Sequence, residues 1–251
     1  VRGADALANT ANSKLFYPSI RYGANELHTN IDGSIYPDGV PSKKWRMISF
    51  PGSVNDSIIN NAKGNGYTFY VWNNLEMSWD FPSVIKPGTG YWFKHIYDGP
   101  FPFKSDSGTV LPLIPYEIML DQGWNMIGNP FAISAKVLAD SSEVSNLYFF
   151  GDSTNRDGWA VSSYQMRPWA GYAIYATSES SSITLLPFSD ESENRSSSRT
   201  MGLEWVLQFS AKTQHNFDNA AMIGRKKHSI EIKDNFDLPL LPKIENGINV
   251  A

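Results

Sequence analysis

The sequence predicts an all-β protein: two tandem related β modules, or the halves of one pseudo-symmetric β-sandwich or barrel, followed by the start of a further β-sandwich module. Three observations predict it. Aromatic residues fill 14% of the 251 positions beside 19 glycines and 15 prolines, a mixture that suits short pleated strands joined by turns. The stretch Gly123-Trp124-Asn125-Met126-Ile127-Gly128-Asn129-Pro130-Phe131 repeats, in frame, the earlier Trp45-Arg46-Met47-Ile48-Ser49-Phe50-Pro51. Leu203, Trp205, Leu207 and Phe209 alternate with other residues and so share one face of a strand.

From position 1 to 40 the chain reads as the end of an upstream immunoglobulin- or fibronectin-like module and a connector. Asn30-Ile31-Asp32-Gly33 and Pro37-Asp38-Gly39 are turn signals between short apolar pieces. The first β repeat is expected over 41–115. Its opening strand, Trp45 to Phe50, stops at Pro51-Gly52; Asn55 to Asn65 has room for one short helical turn. Tyr67-Thr68-Phe69-Tyr70-Val71-Trp72 suits a pleated surface, and Lys86-Pro87-Gly88-Thr89-Gly90 turns the chain into Tyr91-Trp92-Phe93.

The second repeat is expected over 116–189, and its spacing matches the first. Trp45 to Tyr70 and Trp124 to Phe149 both span 25 positions; Trp45 to Gly90 spans 45, and Trp124 to Gly171 spans 47. A unit of this length, used twice, signals duplicated architecture. Positions 190–200 are Ser-rich and polar, the composition of a linker. A partial third β module is expected over 201–251.

These phrases, together with Gly88-Thr89-Gly90-Tyr91-Trp92, Gly171-Tyr172-Ala173-Ile174-Tyr175 and Trp205-Val206-Leu207-Gln208-Phe209, resemble paired Trp/Gly-Tyr repeats of large multidomain secreted or cell-surface proteins of Bacteroidota and related bacteria, substrates of type IX secretion. Trp169-Ala170 departs from the Gly88-Thr89 pair of the first copy. The resemblance implies an extracellular or cell-surface location and a modular, mostly β chain. It transfers no catalytic residue.

Composition narrows the function classes. With 41% hydrophobic and 18% charged residues the chain is a folding one. A net charge of −4 and a pI near 5.6 offer no basic stripe for a phosphate backbone, so nucleic acid is not an expected partner. Cysteine is absent, which removes disulfides and thiolate chemistry. No apolar run reaches the roughly 18 residues of a bilayer span, and no membrane insertion is expected. A start at Val1 without a basic and apolar leader reads as a processed chain or an excised piece.

Candidate contact residues are Trp72, Trp79, Trp159 and Trp169, which sit among polar residues near turns, with Asn73, Asn74, Asp157 and Arg167 beside them. Exposed tryptophan faces stack on sugar rings while neighbouring polar groups read hydroxyls; the same rings would equally cover the rim of a small β module. Trp45 and Trp124 are expected in equivalent buried positions, each plugging the core of its repeat. Gly90 and Gly171 supply turns or allow a neighbouring strand to approach.

Gly151 to Gly158 invites comparison with calcium loops, which present oxygens at alternating positions, but its spacing is not that of such a loop and a hairpin ending in Asp157-Gly158 explains it. His28, His95, His215 and His228 show no metal spacing, and no nucleophile elbow or phosphate loop occurs. The expected function is therefore a non-enzymatic structural or adhesive segment without cofactor or metal. Its partners would be neighbouring domains of the same polypeptide, identical subunits or surface glycans. The alternative is a carbohydrate-binding accessory module of a secreted enzyme.

Overall fold

A computed structural model describes residues 2–4, 10–12, 20–22, 28–31, 33–54, 66–102, 108–140, 142–151, 157–187, 203–214, 216–218, 222–226 and 241–242. The helical turn expected in 55–65 and the linker at 190–200 lie outside the described residues. Within them the protein is all-β: the strands form open antiparallel sheets, with no helix and no closed barrel. Among the described residues no helix is long and apolar enough to cross a membrane.

The strands in chain order begin with β1 (Arg2–Ala4), β2 (Thr10–Asn12) and β3 (Ile20–Tyr22). The first copy continues with β4 (Arg46–Ile48), β5 (Ser53–Val54), β6 (Tyr67–Asn73), β7 (Ser78–Asp80), β8 (Tyr91–His95) and β9 (Gly108–Val110). The second has β10 (Tyr116–Met119), β11 (Gly123–Gly128), β12 (Ala135–Ala139), β13 (Leu147–Phe150), β14 (Trp159–Ser162), β15 (Gln165–Met166), β16 (Gly171–Ala176) and β17 (Ser182–Pro187). Beyond them lie β18 (Leu203–Gln208), β19 (Ala211–Lys212), β20 (Phe217–Asp218) and β21 (Met222–Lys226).

The duplication is visible in the sheets. Strand order β4-β8-β6-β7 in one copy corresponds to β11-β16-β13-β14 in the other, and β3-β9-β5 corresponds to β10-β17-β12, to which the second copy adds β15. Registers correspond too: Ile48 faces Tyr91 as Ile127 faces Tyr172, and Met47 faces Trp92 as Met126 faces Ala173. The strand Ile20–Tyr22, from the stretch read as connector, takes on β9 the place that Tyr116–Met119 takes on β17.

Alternation along the strands sorts side chains into three cores. Ile48, Tyr91 and Phe93 point into the core of the first copy, with Phe50 and Phe69. Ile127, Tyr172 and Ile174 point into the core of the second, with Leu147 and Leu185. The residues between them, Met47 and Trp92 from one sheet and Met126 and Ala173 from the other, meet in a shared third core with Trp124, Tyr148, Phe150 and Trp159. Strands β4, β8, β11 and β16 are thus covered on both faces, which explains their mostly apolar text. Trp45 and Trp124 do not plug separate modules: Trp124 belongs to the shared core, and half-buried Trp45 packs against it.

The copies also exchange backbone contacts around a local two-fold. Ile48 bridges Ala170, and its counterpart Ile127 bridges Thr89. Ser49 N donates to Trp169 O at 3.0 Å, and Gly128 N donates to Gly88 O at 2.9 Å. At Gly90 an added Cβ would stand 2.6 Å from Ile127 O, and at Gly171 it would stand 3.0 Å from Ile48 O. Those glycines serve close approach between the copies.

Candidate functional site

Among the described residues, six tryptophans gather along the shared core and its rim. Hairpin β6–β7 sets Trp72 directly opposite Trp79, with ring centroids 4.7 Å apart. From there edge-to-face contacts run inward: Trp79 to Trp92 at 6.2 Å, Trp92 to Trp159 at 5.8 Å and Trp92 to Phe150 at 4.8 Å. Trp45 closes the row against Trp92 at 6.4 Å and Tyr70 at 5.7 Å, and Lys94 Nζ lies 5.4 Å from the Trp45 ring centroid, a cation–π contact.

Beside this array stands a charge cluster that joins the copies. Arg46, 2% exposed, donates through Nη1 to Asp157 Oδ1 and to Trp45 O, both at 2.6 Å. Lys44 Nζ approaches the same carboxylate oxygen at 3.6 Å. Two cations around one carboxylate explain Asp157 without a metal ion. Residues 152–156 of the stretch compared with a calcium loop lie outside the described residues. Among the described residues, no group of three or more His, Cys, Asp or Glu side chains stands together.

The backbone of the Asp157-Gly158 pair anchors the segment that follows the repeats. Asp157 bridges Asn216, and Phe217 N donates to Asp157 O at 2.7 Å. Phe217 and Asp218 are buried there.

Of the residues singled out from sequence, the fold brings together Trp72, Trp79 and Asn73. Both rings are half-buried; Asn73 Nδ2 donates to Asp80 Oδ2 at 2.7 Å, and its Oδ1 accepts Glu76 N at 3.1 Å. Asn74 Nδ2 donates to Gln122 O at 2.7 Å, tying the hairpin to the second copy.

The expected exposure does not hold for Trp159 and Trp169, which are 2% and 0% exposed. Their polar sequence neighbours lie in turns, and these rings point away from solvent. Trp159 lies in the shared core. Trp169, although part of the second copy, inserts into the core of the first against Phe50 at 5.7 Å, and its Nε1 donates to His28 O at 3.0 Å. Arg167 is remote from the Trp72–Trp79 pair: it is exposed and donates through Nε to Gly33 O at 3.0 Å.

One recurrent device was missed by sequence reading. Tyr91 hydroxyl accepts Lys86 N at 2.8 Å, and Tyr172 hydroxyl accepts Arg167 N at 2.9 Å, each pinning the Pro-containing turn five residues upstream. The common Pro at 87 and 168 and the Gly-Tyr pairs were its signal. Burial pushes the Tyr172 hydroxyl up to about 12, against the opposing Arg167 N–H and charge. Burial also raises Tyr36 and Tyr148; Arg46 opposes the first, while Tyr164 and Asp218 reinforce the second. These phenols stay protonated at neutral pH; Tyr36 donates its hydroxyl to Met47 O at 3.1 Å, and Tyr172 pins its turn.

Arg46 had a signal as well, a lone charge inside an apolar strand. Its partner lies 111 positions away, beyond the reach of local patterning. In comparisons with known proteins, no family model, no curated protein and no solved structure matches this chain.

Proposed function

We propose that this chain is a non-enzymatic structural segment of an extracellular or cell-surface multidomain protein, holding neighbouring domains at a fixed spacing and orientation and serving in assembly or adhesion. The observation that carries the reading is that each repeat completes the other. Trp169 of the second copy fills the core of the first, and paired backbone bridges and a shared aromatic core lock the two. Two modules joined by a flexible linker would swivel; two modules sharing a core transmit force and orientation as one body. The Asp157 junction extends that rigidity to the chain beyond the repeats.

Single-molecule stretching of the full chain tests this. A rigid spacer gives one unfolding event for both repeats, whereas two well-separated events, one per repeat, would overturn it.

A second reading, a carbohydrate-binding accessory module, is favoured by one specific observation: the half-buried Trp72–Trp79 pair stands beside the Asn73–Asp80 hydrogen bond on an edge hairpin. A glycan array followed by tryptophan quenching decides it. Saturable binding abolished by Trp79→Ala supports a sugar site, and silence across all polysaccharides removes it.

A further inference from the structure

We propose that the outer edge of hairpin β6–β7 receives an extended segment of another polypeptide, one in which apolar and basic residues alternate, as an added strand of the sheet β4-β8-β6-β7. The inference goes beyond the spacer role and stands whether or not the repeats unfold together. It is argued from the second copy, where the corresponding edge already holds a segment of this chain.

Register establishes the correspondence. Tyr70 faces Trp92 as Tyr148 faces Ala173, and two residues further on Trp72 faces Trp79 as Phe150 faces Trp159. Met77 is therefore the counterpart of Asp157, two residues before the tryptophan in each copy. Asp157 bridges Asn216, and Phe217 N donates to Asp157 O at 2.7 Å. In the first copy β7 ends its sheet and, among the described residues, pairs with β6 alone. The surface there is apolar and exposed: Leu75 is 90% exposed, Met77 74% and Phe81 38%. Met77 also carries its side chain at φ 49°, a left-handed position that hairpin loops usually give to glycine. The chain alone thus bears a backbone cost for a side chain that lies in solvent.

The chemistry of the occupant follows. Strand addition bonds backbone to backbone whatever the sequence, and alternate side chains set the choice. Trp79 turns toward the shared core; Phe81, two positions on, shares its face, and Met77 borders it at the turn. Ser78 and Asp80 lie on the opposite face, where Asp80 is exposed. Asn73 Nδ2 and Ser78 Oγ each donate to one Asp80 oxygen, which fixes the carboxylate and leaves each oxygen a second lone pair for an incoming cation. Glu76 adds another exposed negative charge. An incoming strand meets apolar surface on one face and negative charge on the other. Two copies joined through β7 would gather the Asp80 and Glu76 carboxylates of both on one interface, a like-charge contact that disfavours self-association.

The test is fluorescence anisotropy of a labelled heptapeptide of alternating lysine and valine, titrated with the full chain. Saturable binding is expected, with slowed amide exchange at 78–81 read by hydrogen-exchange mass spectrometry. Proline at two adjacent central positions of the peptide, which removes N–H groups on both of its sides, should abolish binding, as should glutamate in place of lysine. Met77→Gly should weaken binding about 5-fold or more, while the melting temperature holds or rises because glycine relaxes the left-handed backbone. Asp80→Asn should weaken it about 2- to 5-fold; Asp38→Asn, at an exposed carboxylate of a different turn, should leave it unchanged.

Absence of saturable binding overturns the proposal, as does equal binding of the proline or glutamate peptide. Equal losses in Asp80→Asn and Asp38→Asn would mark general attraction to an acidic chain and overturn it too. Concentration-dependent dimerisation of the chain alone, seen by light scattering and abolished by Met77→Gly, would assign the edge to a second copy instead.

Discussion

Ser49 and Gly128 occupy equivalent places in the two copies, and they meet. A Cβ added at Gly128 would stand 2.3 Å from Ser49 Cβ and 2.6 Å from Thr89 O, so only one of the two positions can carry a side chain. The Ser49 hydroxyl donates to Ala170 O at 2.8 Å. Gly128→Ser should therefore cost about 1–3 kcal/mol by overpacking, and adding Ser49→Gly should restore part of the loss; urea midpoints of the single and double variants check this. The same near-symmetry sets large against small at Trp92 and Ala173. It also explains Trp169. Gly88 has φ 78° and Trp169 has φ 66°, so a left-handed turn position given to glycine in one copy is forced on tryptophan in the other, where the ring fills a core. Losing that ring should cost about 3–5 kcal/mol. Trp169→Gly should nonetheless be less damaging than Trp169→Ala, by up to about 1 kcal/mol, because the backbone there disfavours a Cβ. Thermal denaturation of the two variants measures the order, and a more stable alanine variant would contradict it.

At the scale of elements, strand β4 and the turn before β14 are joined by Arg46 and Asp157. Arg46 is buried while Asp157 is 31% exposed, so Asp157→Ala should destabilise by about 1–3 kcal/mol, the worth of a hydrogen bond to a charged group; Arg46→Met in the same chain should recover much of that. A double-mutant cycle in urea reads the coupling, and simple additivity would deny the pair its role. The turns before β8 and β16 are held by tyrosine hydroxyls. Tyr172 has a folded-state value of about 12, above the ordinary 10, so the native state keeps a proton that the unfolded chain gives up. Its contribution is complete below pH 10 and is lost as pH rises toward 12. The expected loss of stability in that window is on the order of 2–3 kcal/mol. Melting temperatures across alkaline pH should fall less steeply in Tyr172→Phe, which has no phenol to ionise. An identical slope in both chains would show that other groups govern the alkaline limb.

At the scale of the whole molecule, the two sandwich cores and the shared core form one interlocked body, since Trp169 crosses between copies and the edge strands bridge reciprocally. Unfolding should be one transition with coincident tryptophan-fluorescence and circular-dichroism midpoints, and two resolved midpoints would mean that the repeats fold separately. The strand-forming text, the turn chemistry at Pro87-Gly88 and Pro168, and the duplicated Trp-x-Met-Ile frame were legible in the sequence because they rest on local rules: pleat periodicity, proline φ and the repetition of one pattern. Those rules determined an all-β chain and marked which residues correspond. They could not say which face of a doubly buried strand meets which core, so Trp159 and Trp169 read as exposed from their polar neighbours. Only the tertiary structure decided that the repeats share a core, that Arg46 finds Asp157, and that Gly128 is glycine because Ser49 stands opposite. The physical reason is that close packing and buried charge depend on what approaches from elsewhere in the chain, and a near-two-fold brings identical text into contact with itself, where identical side chains cannot both fit.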